Sequence, residues 1–285
     1  EVTDATYTSI PDAVHYTNGA SGTITVDGAI NVNHTGGTGI ALTDNASVTL
    51  AGSGDIFTKA DNTTAITVDS SSTLTDSATT PTINVSGTDS TGISTAGTLN
   101  ATNGALNIQA TASQTPANAV SVSGGTATFK DLQINQDQSS ATGIFTKGVK
   151  IIGGITTIDE SLKVDSAETG LDIDYTDVSQ AETDARFVLD ANATQKYGFL
   201  TPAAMTGAAI NVAGNKNYSV VPIDLGGTTK ISNSTPIAGK GIDISNLNTA
   251  SLNMGYVVAS ATGNALEMTN DDNSLDRILL NFGIS

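Results

Sequence analysis

The apolar positions of this chain come in short alternating runs, not in helical stripes. Ile40-Ala41-Leu42, Ile66-Thr67-Val68, Val120-Ser121-Val122 and Ile210-Asn211-Val212 each set aliphatics two residues apart. That is the period of a strand with one buried face, whereas a helix repeats every 3.6 residues or so. Each run starts directly after a small residue. The resulting pairs are Ala13-Val14, Gly39-Ile40, Ala65-Ile66, Gly92-Ile93, Ala119-Val120, Gly143-Ile144, Gly170-Leu171, Ala209-Ile210, Gly241-Ile242 and Ala265-Leu266. Successive aliphatics stand 26, 26, 27, 27, 24, 27, 39, 32 and 24 residues apart, a recurrence expected of stacked structural repeats.

A second alternating run follows within each period: Thr23-Ile24-Thr25-Val26, Ser47-Val48-Thr49-Leu50, Thr73-Leu74-Thr75, Thr98-Leu99-Asn100 and Thr126-Ala127-Thr128-Phe129. Turn formers such as Asp44-Asn45, Asp69-Ser70-Ser71 and Gly124-Gly125 separate the runs. One period thus holds two or three short strands, and a lone coil of that size cannot bury its row of aliphatics. Stacking coil on coil puts Val14, Ile40, Ile66, Ile93, Val120 and Ile144 in one interior column. The pattern predicts an all-β fold, a right-handed parallel β-helix of about ten rungs with loop insertions in the C-terminal half. At roughly 4.8 Å per rung the rod is about 45 Å long. The small residue of each pair is expected at a tight corner where a side chain would strike the adjacent rung. A β-propeller is the rival architecture, but its blades take about 40 residues, too many for this spacing.

Length then measures coil number, and 1–285 reads as a single domain with 1–12 as an N-terminal cap. Formal net charge is −17, from 28 acids against 11 bases, which argues against nucleic acid and anionic membrane surfaces as partners. No run approaches the 18 or so apolar residues of a membrane span, so no direct membrane insertion by this segment is expected. The absence of cysteine removes disulfides, thiol catalysis and thiolate metal sites.

Gly39-Ile-Ala-Leu-Thr-Asp-Asn-Ala-Ser-Val-Thr-Leu50, followed by Gly52-Ser-Gly54 and a new coil, resembles the passenger domains of bacterial autotransporters, the type V secreted surface proteins of Gram-negative bacteria. The resemblance runs from about residue 13 to about residue 280 and rests on coil style and composition. It implies a β-helix exported through the outer membrane, a cell-surface or released location, and adhesin activity. The family's membrane β-barrel would read as repeated strands of about ten residues; none is legible, so the chain is expected to be a passenger or passenger fragment.

The long gaps after Leu171 and Ile210 imply material that leaves the stack. Within the first, 180–195 is helix-compatible and Tyr197-Gly-Phe199 brings aromatics, which make up only 4% of the chain. An inserted loop at 179–205 is therefore the expected recognition element, with Arg186, Lys196, Tyr197 and Phe199 as candidate ligand contacts. Between residues 159 and 190 stand ten acids and two bases. Asp172 and Asp174, two apart on a strand, share an outer face, and with Asp177 they form a weak candidate Ca²⁺ site. No EF-hand or calcium-roll nonapeptide accompanies them, a solvated face is the competing reading, and no cofactor is expected.

Polysaccharide-degrading β-helix enzymes need clustered Asp with Arg, Lys or His on an outer face. Only His15 and His34 occur, and the sole adjacent Asp pair is Asp271-Asp272, so the chain is not expected to be an enzyme. Gly52-Ser-Gly54 lacks the Asp of a serine-protease nucleophile segment and reads as a turn. The expected activity is non-catalytic adhesion to a host-cell or bacterial surface protein or glycan, with self-association as a second activity. An ice-binding β-solenoid is the alternative, through the column Thr23/Thr25, Ser47/Thr49, Thr73/Thr75, Thr98/Asn100 and Thr126/Thr128.

Overall fold

The computed structural model describes residues 2–7, 12–111, 115–137, 143–176, 186–214, 223–246, 251–269 and 279–282. Among them the chain forms strands throughout, with no α-helix and one 3-10 turn at Pro202–Ala204. Every strand pairing is parallel, and partners come from successive coils. The protein is a parallel β-helix.

Its first face is a ten-stranded sheet running from Asp12–Tyr16 through Thr38–Leu42, Thr64–Val68, Thr91–Thr95, Asn118–Val122, Phe145–Ile151, Ala167–Asp174, Ala208–Ala213 and Lys240–Ser245 to Leu266–Thr269. A fourteen-stranded sheet supplies the second and third faces. Long strands such as Thr98–Ala110 and Ile155–Val164 turn the corner between those faces unbroken. Other coils break the same path in two, as in Ser47–Ala51 and Asp55–Thr58. Register shifts occur where the long strands bend, between Ala101 and Ala105 and between Phe129 and Asp131, while the described pairings of the first face carry none. The first face therefore sets the register of the stack.

On that face Val14, Ile40, Ile66, Ile93, Val120, Val149, Leu171, Ile210, Ile242 and Leu266 are paired in one inward column. The sixth member corrects the expectation: it is Val149, preceded by Gly148, and not Ile144. Gly148-Val149-Lys150-Ile151 repeats the full pattern of small, aliphatic, polar, aliphatic, whereas Ile144 is followed by Phe145 and Thr146 and lies 39% exposed before its strand. Two apolar positions two apart specify a buried face; one does not.

The small residue is required by the corner. A Cβ added at Gly39 would lie 2.6 Å from the carbonyl oxygen of Ala65, and at Gly92 2.5 Å from that of Ala119. At Gly241 the corresponding oxygen, of Ala265, would be 2.3 Å away. The carbonyl of one coil thus occupies the space a side chain would take on the coil before. Ala65, Ala119 and Ala209, all fully buried, fill the same column in other coils, so a methyl group is the upper limit.

Turns are tied across coils as well. Asp44 and Asn45 adopt φ of 55° and 66°, which Asp and Asn tolerate better than most residues. The Asp69 carboxylate of the next coil accepts from the Asp44 amide at 2.8 Å and from the amide and hydroxyl of Ser71 at 3.0 Å each. Asp76 points inward in line with Leu50. Its carboxylate is satisfied by the consecutive amides of Thr102, Asn103 and Gly104 at 2.9–3.1 Å, so a charge is accommodated at the core boundary.

The expectation for 179–205 is refined. Of 179–205, Arg186–Leu189 and Thr194–Tyr197 are strands of the stack, flanked on both sides by Ile155–Val164 and Ile223–Ile231. The alternation Arg186-Phe187-Val188-Leu189 buries Phe187 and Leu189, and period two outweighs the helix-compatible composition. Residues 177–185 lie outside the described residues. At the N-terminus, Val2–Tyr7 is a strand paired with Ser21–Val32 along the edge of the first coil.

Two measurements test this architecture. V149A should lower stability by about 2 kcal/mol and I144A by less than about 0.5 kcal/mol, read as urea midpoints; equal losses would return the column to Ile144. Desolvation opposes ionisation of Asp69, but the hydroxyls of Ser72 and Ser71 and the amides of Asp44 and Ser71 hold its carboxyl down to about 2, against 3.8 ordinarily. A carboxyl lowered in the folded state stabilises fully above its ordinary value and loses that contribution as pH falls toward the folded one. D69A should therefore melt lower than wild type at pH 7, with the gap closing as the pH is lowered from about 4 to about 2.

Candidate functional site

Outward positions of the first face form their own columns. The position just before each corner residue carries Asp12, Thr38, Thr64, Thr91, Asn118, Lys147, Thr169, Ala208, Lys240 and Asn264 in turn. The position between the two inward aliphatics carries Ala41, Thr67, Ser94, Ser121, Lys150, Asp172, Asn211, Asp243 and Glu267. Hydroxyls dominate the first half and charges the second.

Where the small Ala208 follows Lys147 and Thr169, the columns leave a groove of about 450 Å³. Lys147 and Lys240 stand along it, Asn211 and Asp243 line it, and Gly207 and Gly239 expose backbone to it. The nearly buried Asp172 carboxylate is held by Lys147 Nζ at 3.1 Å and by Asn211 Nδ2 at 2.7 Å. Lys240 Nζ donates to Asp243 at 2.8 Å and to Glu267 at 3.0 Å, and Asn264 Nδ2 donates to Glu267 at 2.7 Å. The Asp243 contact foremost, with Glu267, raises the Lys240 ammonium above its ordinary value, and Lys240 with Asn264 lowers the Glu267 carboxyl. Two ammoniums and three carboxylates nearly cancel. Such a groove offers donors and acceptors in balance, which suits a ligand rich in hydroxyls better than an ion.

Of the four expected contacts, Arg186 is exposed at the start of its strand. Lys196 points outward from Thr194–Tyr197, with its ammonium 5.8 Å from the centre of the Phe199 ring. Those two residues are brought together. Tyr197 is corrected: it is fully buried, paired between Val164 and Ile231, and its hydroxyl donates to Gln195. Burial pushes its phenol well above the ordinary range, and it is core rather than contact. Asp174 accepts from the Thr176 hydroxyl at 2.6 Å and Asp172 is committed as described; Asp177 lies outside the described residues. No group of three metal-ligating side chains occurs among the described residues.

Gly52, at φ 104°, and Gly54 press against the preceding coil; an added Cβ would lie 2.1 Å from the Val26 carbonyl oxygen and 2.0 Å from that of Gly28. The segment is a turn. Asp271-Asp272 falls outside the described residues. No helix among the described residues is long and apolar enough to cross a membrane.

The groove was legible in part. Lys147, Thr169, Ala208 and Lys240 each stand immediately before the small residue of a pair, a position that can be read off once the pairs are aligned. Setting the sixth pair at Gly143-Ile144 hid Lys147. Comparison with family models, with curated proteins and with solved structures found no match.

Proposed function

We propose that this chain is a non-catalytic adhesin, the passenger or a passenger segment of an autotransporter-like surface protein, exposed outside the cell. The observation that carries the reading is the groove at Ala208, where hydrogen-bonding groups of nearly balanced charge surround space for a small polar ligand. The rest of the rod supports it, because a stack whose interior is committed to packing can hold such a surface away from its point of attachment. Surface glycans are the favoured ligand class; a surface protein or a second copy of the chain would use the same outer columns.

An array of neutral and charged glycans and of surface proteins, probed with the chain and with A208Y, tests this. Ala208 faces outward, so a larger side chain fills the groove without entering the core. Binding by the chain that falls about tenfold in A208Y supports the groove. Binding equal in both moves the site elsewhere, and binding by neither leaves the rod a spacer.

Ice binding is kept as a second reading because one observation favours it. On the second face Ser21/Thr23, Ser47/Thr49, Thr73/Thr75, Thr98/Asn100 and Thr126/Thr128 stack without a register shift. The first pair is therefore Ser21/Thr23 and not Thr23/Thr25. Under the adhesin reading the purified chain produces no freezing-point hysteresis; hysteresis abolished by T49K together with T75K would transfer the assignment to this face.

A further inference from the structure

The third face carries a second surface, on strands of the other sheet from those that build the groove. Its strands pair Gln133 with Lys163, Lys163 with Lys196, Lys196 with Lys230 and Lys230 with Val258. Three lysines of a chain with only 11 basic residues and a net charge of −17 thus stand on consecutive rungs of one outward column. Rungs are about 4.8 Å apart, and like charges directly opposite on neighbouring strands destabilise the sheet. Lys163 shares Asp131 at 3.5 Å; among the described residues Lys196 and Lys230 have no carboxylate partner. A neighbouring outward column runs Asp131, Ser161, Thr194, Thr228 and Tyr256. Hydroxyls therefore line the lysines, and two aromatics stand beside them: Phe199 by the middle lysine, Lys196, and Tyr256, 53% exposed, at one end.

We propose that Lys163, Lys196 and Lys230 form a binding strip for a linear carboxylated polysaccharide, laid along the stack axis. One carboxylate per sugar gives such a polymer a charge spacing of the same order as a rung, so successive ammoniums meet successive carboxylates. Thr194 and Thr228 offer hydrogen bonds to ring hydroxyls, the Ser161 hydroxyl being committed to Asp131, and Tyr256 and Phe199 offer apolar faces for sugar rings. DNA has the same sign but a phosphodiester backbone without free ring hydroxyls for Thr194 and Thr228 to meet, and as a duplex a denser charge that a body of net charge −17 repels more strongly. The strip is independent of the groove at Ala208 and does not rest on it.

The probe is an oligogalacturonate, titrated alongside its fully methyl-esterified form and a single-stranded DNA of equal length. The acid form is expected to bind with an affinity that falls with salt, to lose about tenfold or more in K163Q/K196Q/K230Q, and to bind K163R/K196R/K230R nearly as well as wild type. The double variant K59Q/K150Q, with lysines outside this column, should bind as wild type does. Removing three repelling charges should leave the melting temperature unchanged or raised, so a loss of binding cannot be laid to unfolding. Equal binding of acid and ester, no loss in the glutamine triple, a loss shared by the K59Q/K150Q control, or preference for DNA would each overturn the proposal, as would failure of the acid form to bind at all.

Discussion

The structure depends on one steric constraint at the corners of the first face: at the glycine corners a backbone carbonyl oxygen fills the space a side chain would need on the coil before, and at the others a methyl group is all that is found. Because the carbonyl is also committed to the interstrand ladder, it cannot move aside, and only Gly or Ala is admitted at the corner. The aliphatic that follows is then fixed in direction, and with it the register of its strand against the next. The other two faces inherit that register. Their strands may bend, split or shift by a residue or two, as between Phe129 and Asp131 and between Ala101 and Ala105, since the next corner restores the alignment.

This explains how much of the molecule could be read from sequence. The corner constraint is local, a small residue before an aliphatic, and so it survives as a visible period even where coils differ in length. The sixth pair was misplaced because Gly143-Ile144 satisfies the two-residue signal while Gly148-Val149-Lys150-Ile151 satisfies the four-residue one. Tyr197 was misread for a related reason. An aromatic in a chain poor in aromatics looks like a contact, yet parity within Thr194–Tyr197 places it inside with Gln195 and leaves Lys196 outside. Surface sites were harder to see, because the groove and the lysine strip are made by residues that meet only once coils of unequal length are aligned.

Polar residues in the interior follow the same logic of position over composition. Asp76 is tolerated where three amides of the next coil converge on it, a device that needs no counter-ion. Thr95 occupies a column otherwise held by Leu42, Val68 and Val122, and its hydroxyl has no partner among the described residues. Its shape matches valine, so packing is kept while a buried donor goes unused. The interior is thus specified chiefly by volume, and chemistry is sorted to the outside, where the two candidate surfaces differ in sign balance: neutralised at the groove, and in positive excess along the lysines, of which only Lys163 is paired with a carboxylate among the described residues.

Because the first face resets the alignment at each corner, the rod behaves as a ruler whose divisions are independent. A whole coil could be duplicated or lost between two corners, lengthening or shortening the body by one division while the remaining columns stayed continuous. A fraction of a coil could be gained only at the other corners, where it would emerge as a projection. Reach and decoration are therefore separately adjustable in this architecture, one by counting coils and the other by lengthening turns.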